Sequence, residues 1–596
     1  MSTKMRAIVG ALLMGALGGG VAYYALVLAR PKPISNLPTL VNPSDVEATP
    51  VASLPAVKFV DITEQAGIKF VHTNAATGEK YLPETMGSGV AFLDYDGDGR
   101  QDLFFVNGSP WTAAPGSQPP TQALYHNLGG GKFEDVTGSA GLAVPMFGMG
   151  VAVGDVDNDG DPDLYVTALG GGHLFRNDAG KFVDVTTDWN ARGADGWLTS
   201  AAFLDIENDG DLDLFICRYV DWSREVDRAV STPITGAGLG YDRPSDYKGT
   251  SCILLRNDGG KFVDVTAEAG IRVETPDLKS PVAKSLGVAP YDVNNDGLVD
   301  IAVANDTVQN FLFINRGGGK FEEVGIVSGV AFDGVGSARG GMGIDFAHFR
   351  NDPCLGLVIG NFANEMMAFY VADEPSDSRG ALFSDQANVF GLGAPTQPPM
   401  KFGLFFFDYD LDGRLDLLSV NGHLEPEVER VQASERYKQA PQLYWNNGSA
   451  RRMFTLVPPE AAGVDLFKPL VGRGSAYADI DGDGDLDLVL TENGGPARLL
   501  RNEGTGNKWL RLDLRGTTSN RSAIGAKVSV EAGGVMQLRQ NYPAKGYLSS
   551  VELPLTFGLG KAEVADKVTI TWPSGRKTEL SKVAAGKSMV VEEPKP

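Results

Sequence analysis

At 596 residues the chain is longer than one ordinary domain, and 75 glycines with few long helical patterns point to a mainly β repeat array. A formal charge of -23 argues against a nucleic-acid partner, whose phosphates it would repel. Three cysteines are too few for a disulfide scaffold, although Cys217 and Cys252 leave one pair open.

Taken in order, the chain begins with an export signal over residues 1–30. Lys4 and Arg6 precede an uncharged, mostly apolar run from Ala7 to Ala29, which Arg30-Pro31-Lys32 closes. The run is long enough to cross a bilayer. Its length favours an uncleaved anchor, with residues 7–29 in the membrane and the rest on the periplasmic or extracellular side; secretion after cleavage is the alternative. Residues 31–56, rich in Pro, Ser, Ala and Val without a period, read as an extended tether.

From residue 57 to about 505 one nine-residue pattern, D-x-D-x-D-G-x-x-D, returns six times. Its first, third, fifth, seventh and ninth positions are Asp94, Asp96, Asp98, Arg100 and Asp102; Asp155, Asp157, Asp159, Asp161 and Asp163; and Asp205, Glu207, Asp209, Asp211 and Asp213. They continue as Asp292, Asn294, Asp296, Leu298 and Asp300; Asp408, Asp410, Asp412, Arg414 and Asp416; and Asp479, Asp481, Asp483, Asp485 and Asp487. Side-chain oxygens at positions 1, 3, 5 and 9 around a tight turn are the hard ligands that Ca²⁺ takes. Position 7 would offer only its backbone carbonyl, and there the side chain varies freely. Position 12, a bidentate Glu in an EF-hand, is here Phe105, Val166, Ile216, Val303, Ser419 or Leu490, inside β-type runs. The expectation is about six structural calcium sites between strands. Six bound ions would halve the net charge to about -11. Zinc is disfavoured because no Cys or His lies within any of these loops.

Each unit adds a second hairpin, such as Leu124-Tyr125-His126-Asn127 to Lys132-Phe133-Glu134-Asp135, so that four strands accompany each ion loop. Four strands per unit is the content of a propeller blade. A disguised unit lies between the fourth and fifth loops, where His348, Arg350, Asp352, Pro353 and Gly356 stand at positions 1, 3, 5, 6 and 9. That loop keeps only Asp352 of its carboxylates and carries its own cation, so it is expected to hold no ion. The expected fold is therefore all-β: a seven-bladed β-propeller with six calcium-binding loops over residues 57–505, after an N-terminal transmembrane or signal helix. The Lys58-Phe59-Val60-Asp61 strand is expected to complete the last blade. Residues 218–250 and 371–400 read as long surface loops. Residues 506–596 alternate as strands in a small C-terminal β-domain and tail, with segments such as Trp509–Leu514, Ala526–Val530 and Val568–Trp572.

These repeats resemble the FG-GAP/VCBS repeats of integrin-α-type propellers. Leu82-Pro83-Glu84-Thr85-Met86-Gly87-Ser88-Gly89, Asn305-Asp306-Thr307, Asn421-Gly422-His423-Leu424, Ser519-Asn520-Arg521, Phe557-Gly558-Leu559-Gly560 and Trp572-Pro573-Ser574-Gly575 are similar to the cartilage acidic protein family with its ASPIC/UnbV domain. The resemblance implies a secreted or membrane-tethered, calcium-dependent propeller described through binding and adhesion rather than a reaction.

No H-E-x-x-H or G-x-S-x-G pattern surrounds the five histidines. The expectation is a non-enzymatic binding module for a protein or carbohydrate on the outer side of the membrane. A scaffold subunit of a membrane complex is one alternative. A carbohydrate-active enzyme is another, with Glu84, Asn305, Asp306, Glu365, His423 and Glu425 as the polar residues that could converge on one face. Arg521 and Lys527 are surface cations or contacts for an anion.

Overall fold

The computed structural model describes residues 54–112, 116–230, 233–234, 238–372 and 381–596. Among them the repeats form seven small sheets, each built from four consecutive repeat strands. The first begins at Val90–Leu93 and runs through Asp102–Phe105 and Ala123–Gly129 to Lys132–Asp135. The others begin at Gly148–Gly154, Leu198–Leu204, Ser285–Tyr291, Gly341–Ala347, Lys401–Phe407 and Gly472–Ala478. Phe59–Asp61 supplies the fourth strand of the seventh sheet, pairing antiparallel with Arg498–Asn502 in the register Phe59 to Asn502.

The sequence dictates which strand sits where. First strands such as Gly148–Gly154 are small and apolar throughout and are buried on both faces, whereas fourth strands such as Phe182–Asp184 are mostly exposed, with Phe182 buried and Val183 and Asp184 exposed. The apolar cores lie between successive sheets: Phe104, Val106, Leu164 and Val166 pack together, as do Phe92, Phe105, Val489 and Leu499.

Several expectations need correction here. Ladder hydrogen bonding stops at the fourth strand of each repeat, and neighbouring sheets meet through packed side chains and scattered backbone bonds such as Gly148 N–H to the Asn107 carbonyl at 3.0 Å, so no sheet closes on itself into a barrel or propeller. The fold is strand-rich, with separate small antiparallel sheets, in place of the expected closed seven-bladed propeller. No helix among the described residues is long and apolar enough to cross a membrane. The expected anchor over residues 7–29, and nearly all of the tether, lie outside the described residues. The transmembrane helix, the anchored localisation and the membrane-side partner are withdrawn accordingly. The stretch 218–250 contains a helix, Arg224–Val230, and 371–400 contributes Ser384–Asp385 as the fourth strand of the fifth sheet. Cys217 and Cys252 are free, buried thiols: Cys217 Sγ lies 3.8 Å from the Gly287 carbonyl and Cys252 Sγ 3.2 Å from Ser285 Oγ.

The C-terminal region forms a three-stranded sheet centred on Lys508–Arg515 and a four-stranded sheet containing Lys527–Ala532 and Val564–Thr571. One hairpin, Ala544–Lys545 with Ser549–Ser550, leaves these sheets and joins the first repeat sheet, where Ser550 pairs with Ala91. Its turn buries Tyr547 and Leu548 completely. Leu548 N–H donates to Ser200 Oγ at 3.1 Å, its carbonyl accepts Val151 N–H at 3.1 Å, and Gly546 exchanges both backbone bonds with Ile344. Gly546 has φ +68°, and a Cβ there would stand 2.4 Å from the Leu404 carbonyl, so only glycine fits.

Candidate acidic loop sites

Every one of the six loops connects the first and second strands of its sheet, and one hydrogen-bond pattern repeats through them. The position-1 carboxylate accepts N–H bonds from inside the turn: Asp98 and Gly99 donate to Asp94 at 3.0 and 2.9 Å, and Asp412 and Gly413 to Asp408 at 3.0 and 2.8 Å. Position 5 accepts the N–H of position 7, as Asp98 does from Arg100, Asp159 from Asp161, Asp209 from Asp211 and Asp296 from Leu298. The same bond joins Asp412 to Arg414 and Asp483 to Asp485. A residue in the left-handed region at position 4, Gly97, Asn158, Asn208, Asn295, Leu411 or Gly482, sets the turn.

Position 9 has a role that the sequence did not disclose. One oxygen of Asp102 accepts Tyr95 N–H at 3.1 Å, and the other accepts Asn127 N–H at 2.7 Å from the third strand. The pattern returns at Asp163 with Val156 and Asn177, Asp213 with Ile206 and Asn257, and Asp300 with Val293 and Asn315. Asp416 with Tyr409 and Asn446, and Asp487 with Ile480 and Asn502, complete it. Each of these asparagines then donates its side-chain amide to a neighbouring sheet's loop: Asn177 to the Tyr95 carbonyl at 2.7 Å, Asn257 to Val156 at 3.0 Å, Asn446 to Phe349 at 2.8 Å, and Asn127 to Ile480 at 2.9 Å. The signal was present in the sequence as an asparagine at or near the end of the third strand in six of the sheets, which reads equally well as a turn residue.

Carboxylates consequently crowd together. Asp94, Asp96 and Asp98 bring oxygens within 4.8 Å of one another, as do Asp155, Asp157 and Asp163; Asp408, Asp410 and Asp416; and Asp479, Asp481 and Asp483. Burial pushes these acids up: Asp94 to about 6, Asp155 and Asp410 to about 7, and Asp102 and Asp300 to about 8, with loop neighbours adding repulsion. Such clusters of buried hard oxygens are compatible with a divalent cation. The loops of the third and fourth sheets form no such cluster; Glu207 lies 3.8 Å from Arg256, and Asn294 turns its amide toward Asp296 at 2.8 Å. His126, outside the nine-residue pattern, stands 3.2 Å from Asp102 and 3.3 Å from Asp96, so one imidazole does border the first loop. Arg100 and Arg414, expected to lend only a carbonyl, pair their guanidinium groups with Asp98 and Asp412.

The polar residues singled out on one face fall into two groups, each with internal partners. Glu84 accepts Trp111 Nε1 at 2.8 Å and the Tyr241 hydroxyl at 3.2 Å, while Glu425 pairs with Lys80 at 2.5 Å and accepts Tyr241 N–H at 3.2 Å. His423 Nδ1 accepts Glu425 N–H, and burial with the nearby Arg473 charge lowers its pKa to about 4. In the second group Asp306 accepts the Tyr219 hydroxyl at 2.6 Å, Glu365 accepts Gly340 N–H at 2.8 Å and Asn305 accepts Ser285 Oγ at 2.8 Å. These contacts bind loops together. Arg521 donates its backbone N–H to Asn158 at 2.7 Å, and Lys527 reaches Asp292.

Fold and loops together define a strand-rich repeat protein with acidic clusters suited to a cation. Residues 94–166, 292–354 and 408–490 match the FG-GAP-like repeat, and 516–596 match the ASPIC and UnbV domain. Cartilage acidic protein 1 of Xenopus tropicalis is 27% identical over 484 residues, covering 72% of this chain and 70% of its own. The human protein of that name is 26% identical over 475 residues, covering 74% of this chain and 62% of its own, so the chain spans less than two thirds of it. The chain is a homologue of the cartilage acidic protein 1 family, with FG-GAP repeats and an ASPIC/UnbV domain. An Agrocybe aegerita lectin solved for its recognition of terminal N-acetylglucosamine aligns with a TM-score of 0.38 at 13% identity, over 69% of this chain and 87% of its own, too distant to identify a partner. The relatives give no indication of a catalytic fold.

Proposed function

We propose that the chain is a secreted or extracellular, non-catalytic binding protein whose acidic loops take up Ca²⁺ in order to hold the repeat sheets together. The observation that supports this is the repeated hydrogen-bond pattern, which fixes the carboxylates of positions 1, 5 and 9 while position 3 adds a further oxygen. Asp94, Asp96, Asp98 and Asp102 with the Arg100 carbonyl, and Asp155, Asp157, Asp159 and Asp163 with the Asp161 carbonyl, would hold ions. The corresponding residues from Asp408 to Asp416 and from Asp479 to Asp487 would do the same. The donor set fits a hard cation, since every side chain at positions 1, 3, 5 and 9 of these loops is a carboxylate. A bound ion supplies positive charge where burial otherwise forces carboxylates toward protonation, and its binding energy is shared with folding. The repeats would form one unit over residues 57–505, followed by the C-terminal β-domain. Calorimetric titration of chelator-treated protein with CaCl₂ tests the reading: uptake of several ions per chain with micromolar or tighter affinity is expected, and absence of binding heat together with no bound calcium by metal analysis overturns it.

A further inference from the structure

The fourth-sheet loop departs from the others in what stands at its position-1 carboxylate. In the remaining five loops that carboxylate accepts only backbone N–H bonds from its own turn, apart from contacts among the loop acids. Asp292 also accepts them, from Asp296 at 3.1 Å and Gly297 at 2.7 Å, but the ammonium of Lys527 from the C-terminal region is seated on its Oδ2. Lys527 Nζ donates in addition to Asn295 Oδ1 at 2.7 Å, spanning positions 1 and 4 of the turn. Gln540 secures the approach: its Oε1 accepts Asp292 N–H at 2.9 Å and its Nε2 donates to the Asp292 carbonyl at 3.2 Å. Lys527 and Gln540 face each other across paired strands, so one β-ladder carries both.

The position-1 carboxylate is buried, with 3% of the side chain exposed, which makes an unpaired charge there costly. An ammonium is a compact point charge with three donors, the side chain best suited to stand in for a small cation. The arginines at Asp98 and Asp412 differ, because they come from position 7 of the same loop and engage position 5. At position 3 Asn294 replaces a carboxylate, and its amide donates to Asp296 rather than leaving both oxygens to an ion.

We infer that Lys527 is a tethered cation that fills the fourth-sheet loop in place of a divalent ion, so that this loop serves as a docking point for the C-terminal region and not as a calcium site. The inference rests on the calcium reading above. It is tested by counting bound calcium per chain at equilibrium, by metal analysis after dialysis against a fixed free concentration. Lys527→Met is expected to bind one ion more than the wild type, and an unchanged count overturns the inference. Asp292→Asn serves if Lys527→Met does not fold: its count is expected to equal that of the wild type, whereas loss of one ion shows that Asp292 already held one. Asp408→Asn, in an acidic cluster, is the control that should lose one. No calcium on the wild type at all overturns the calcium reading instead, and this inference with it.

Discussion

The loops of the fifth and sixth sheets sit in the same strand connection, yet one holds an acidic cluster and the other none. Around Asp408, Asp410 and Asp416 three carboxylates converge. Around His348 the turn keeps its shape without them: Asn351 takes the left-handed conformation at φ +56°, matching Leu411 at +55°, and Cys354 N–H bonds Asp352 at 2.8 Å. The Arg350 guanidinium lies against the Cys354 thiol and over the rings of Phe349 and Phe390. The fifth loop also has Gly356 at position 9, and its third strand ends in Ala372 rather than asparagine. The carboxylate and the asparagine that it anchors in the other six loops are thus missing together. The turn itself does not require them. What they add is the bond to the neighbouring sheet, and Asn446 still makes that bond to Phe349 of the degenerate loop.

The comparison breaks most severely at Asp416. Asp416→Ala leaves the buried N–H groups of Tyr409 and Asn446 without acceptors, a loss on the order of 2–6 kcal/mol at about 1–3 kcal/mol per group. Denaturant unfolding of the calcium-free protein should register it, and a loss below about 1 kcal/mol there would mean that position 9 does not anchor these N–H groups and acts only as an ion ligand. At the other extreme, Arg350→Asp should leave the bound calcium count unchanged, because positions 1 and 9 of that loop are still His348 and Gly356. An added ion would show that carboxylates at positions 3 and 5 alone suffice.

Much of this was legible in the chain. The nine-residue pattern located the loops, and apolar runs followed by alternating ones located inner and outer strands, because period and burial are properties of local sequence. Even the degenerate loop announced itself, through the doubled spacing between the loops that begin at Asp292 and Asp408. The pairing of Asp102 with Asn127, and its five counterparts, was hidden because an asparagine before a turn has a local explanation. The seat of Lys527 on Asp292 and the burial of Tyr547 and Leu548 were hidden for another reason: they join residues more than a hundred positions apart, and nothing near either partner in sequence reports the other. Assembly of the units was misjudged for the same cause, since strand content per repeat does not state how sheets meet.

The most direct test of calcium as the cation that holds these loops is calorimetric melting with Ca²⁺ or with a strong chelator, at pH 8 and at pH 5.5. Metal-free Asp94, Asp155 and Asp102 titrate near 6, 7 and 8 in the fold, above the ordinary carboxylate value of 3.8. The folded state therefore binds more protons than the unfolded chain, and metal-free stability falls as the pH rises from about 4 to about 8. The account predicts a large rise in Tm with calcium at pH 8 and a smaller one at pH 5.5, where protons already relieve the buried charge. Equal melting with and without calcium at pH 8 would contradict it.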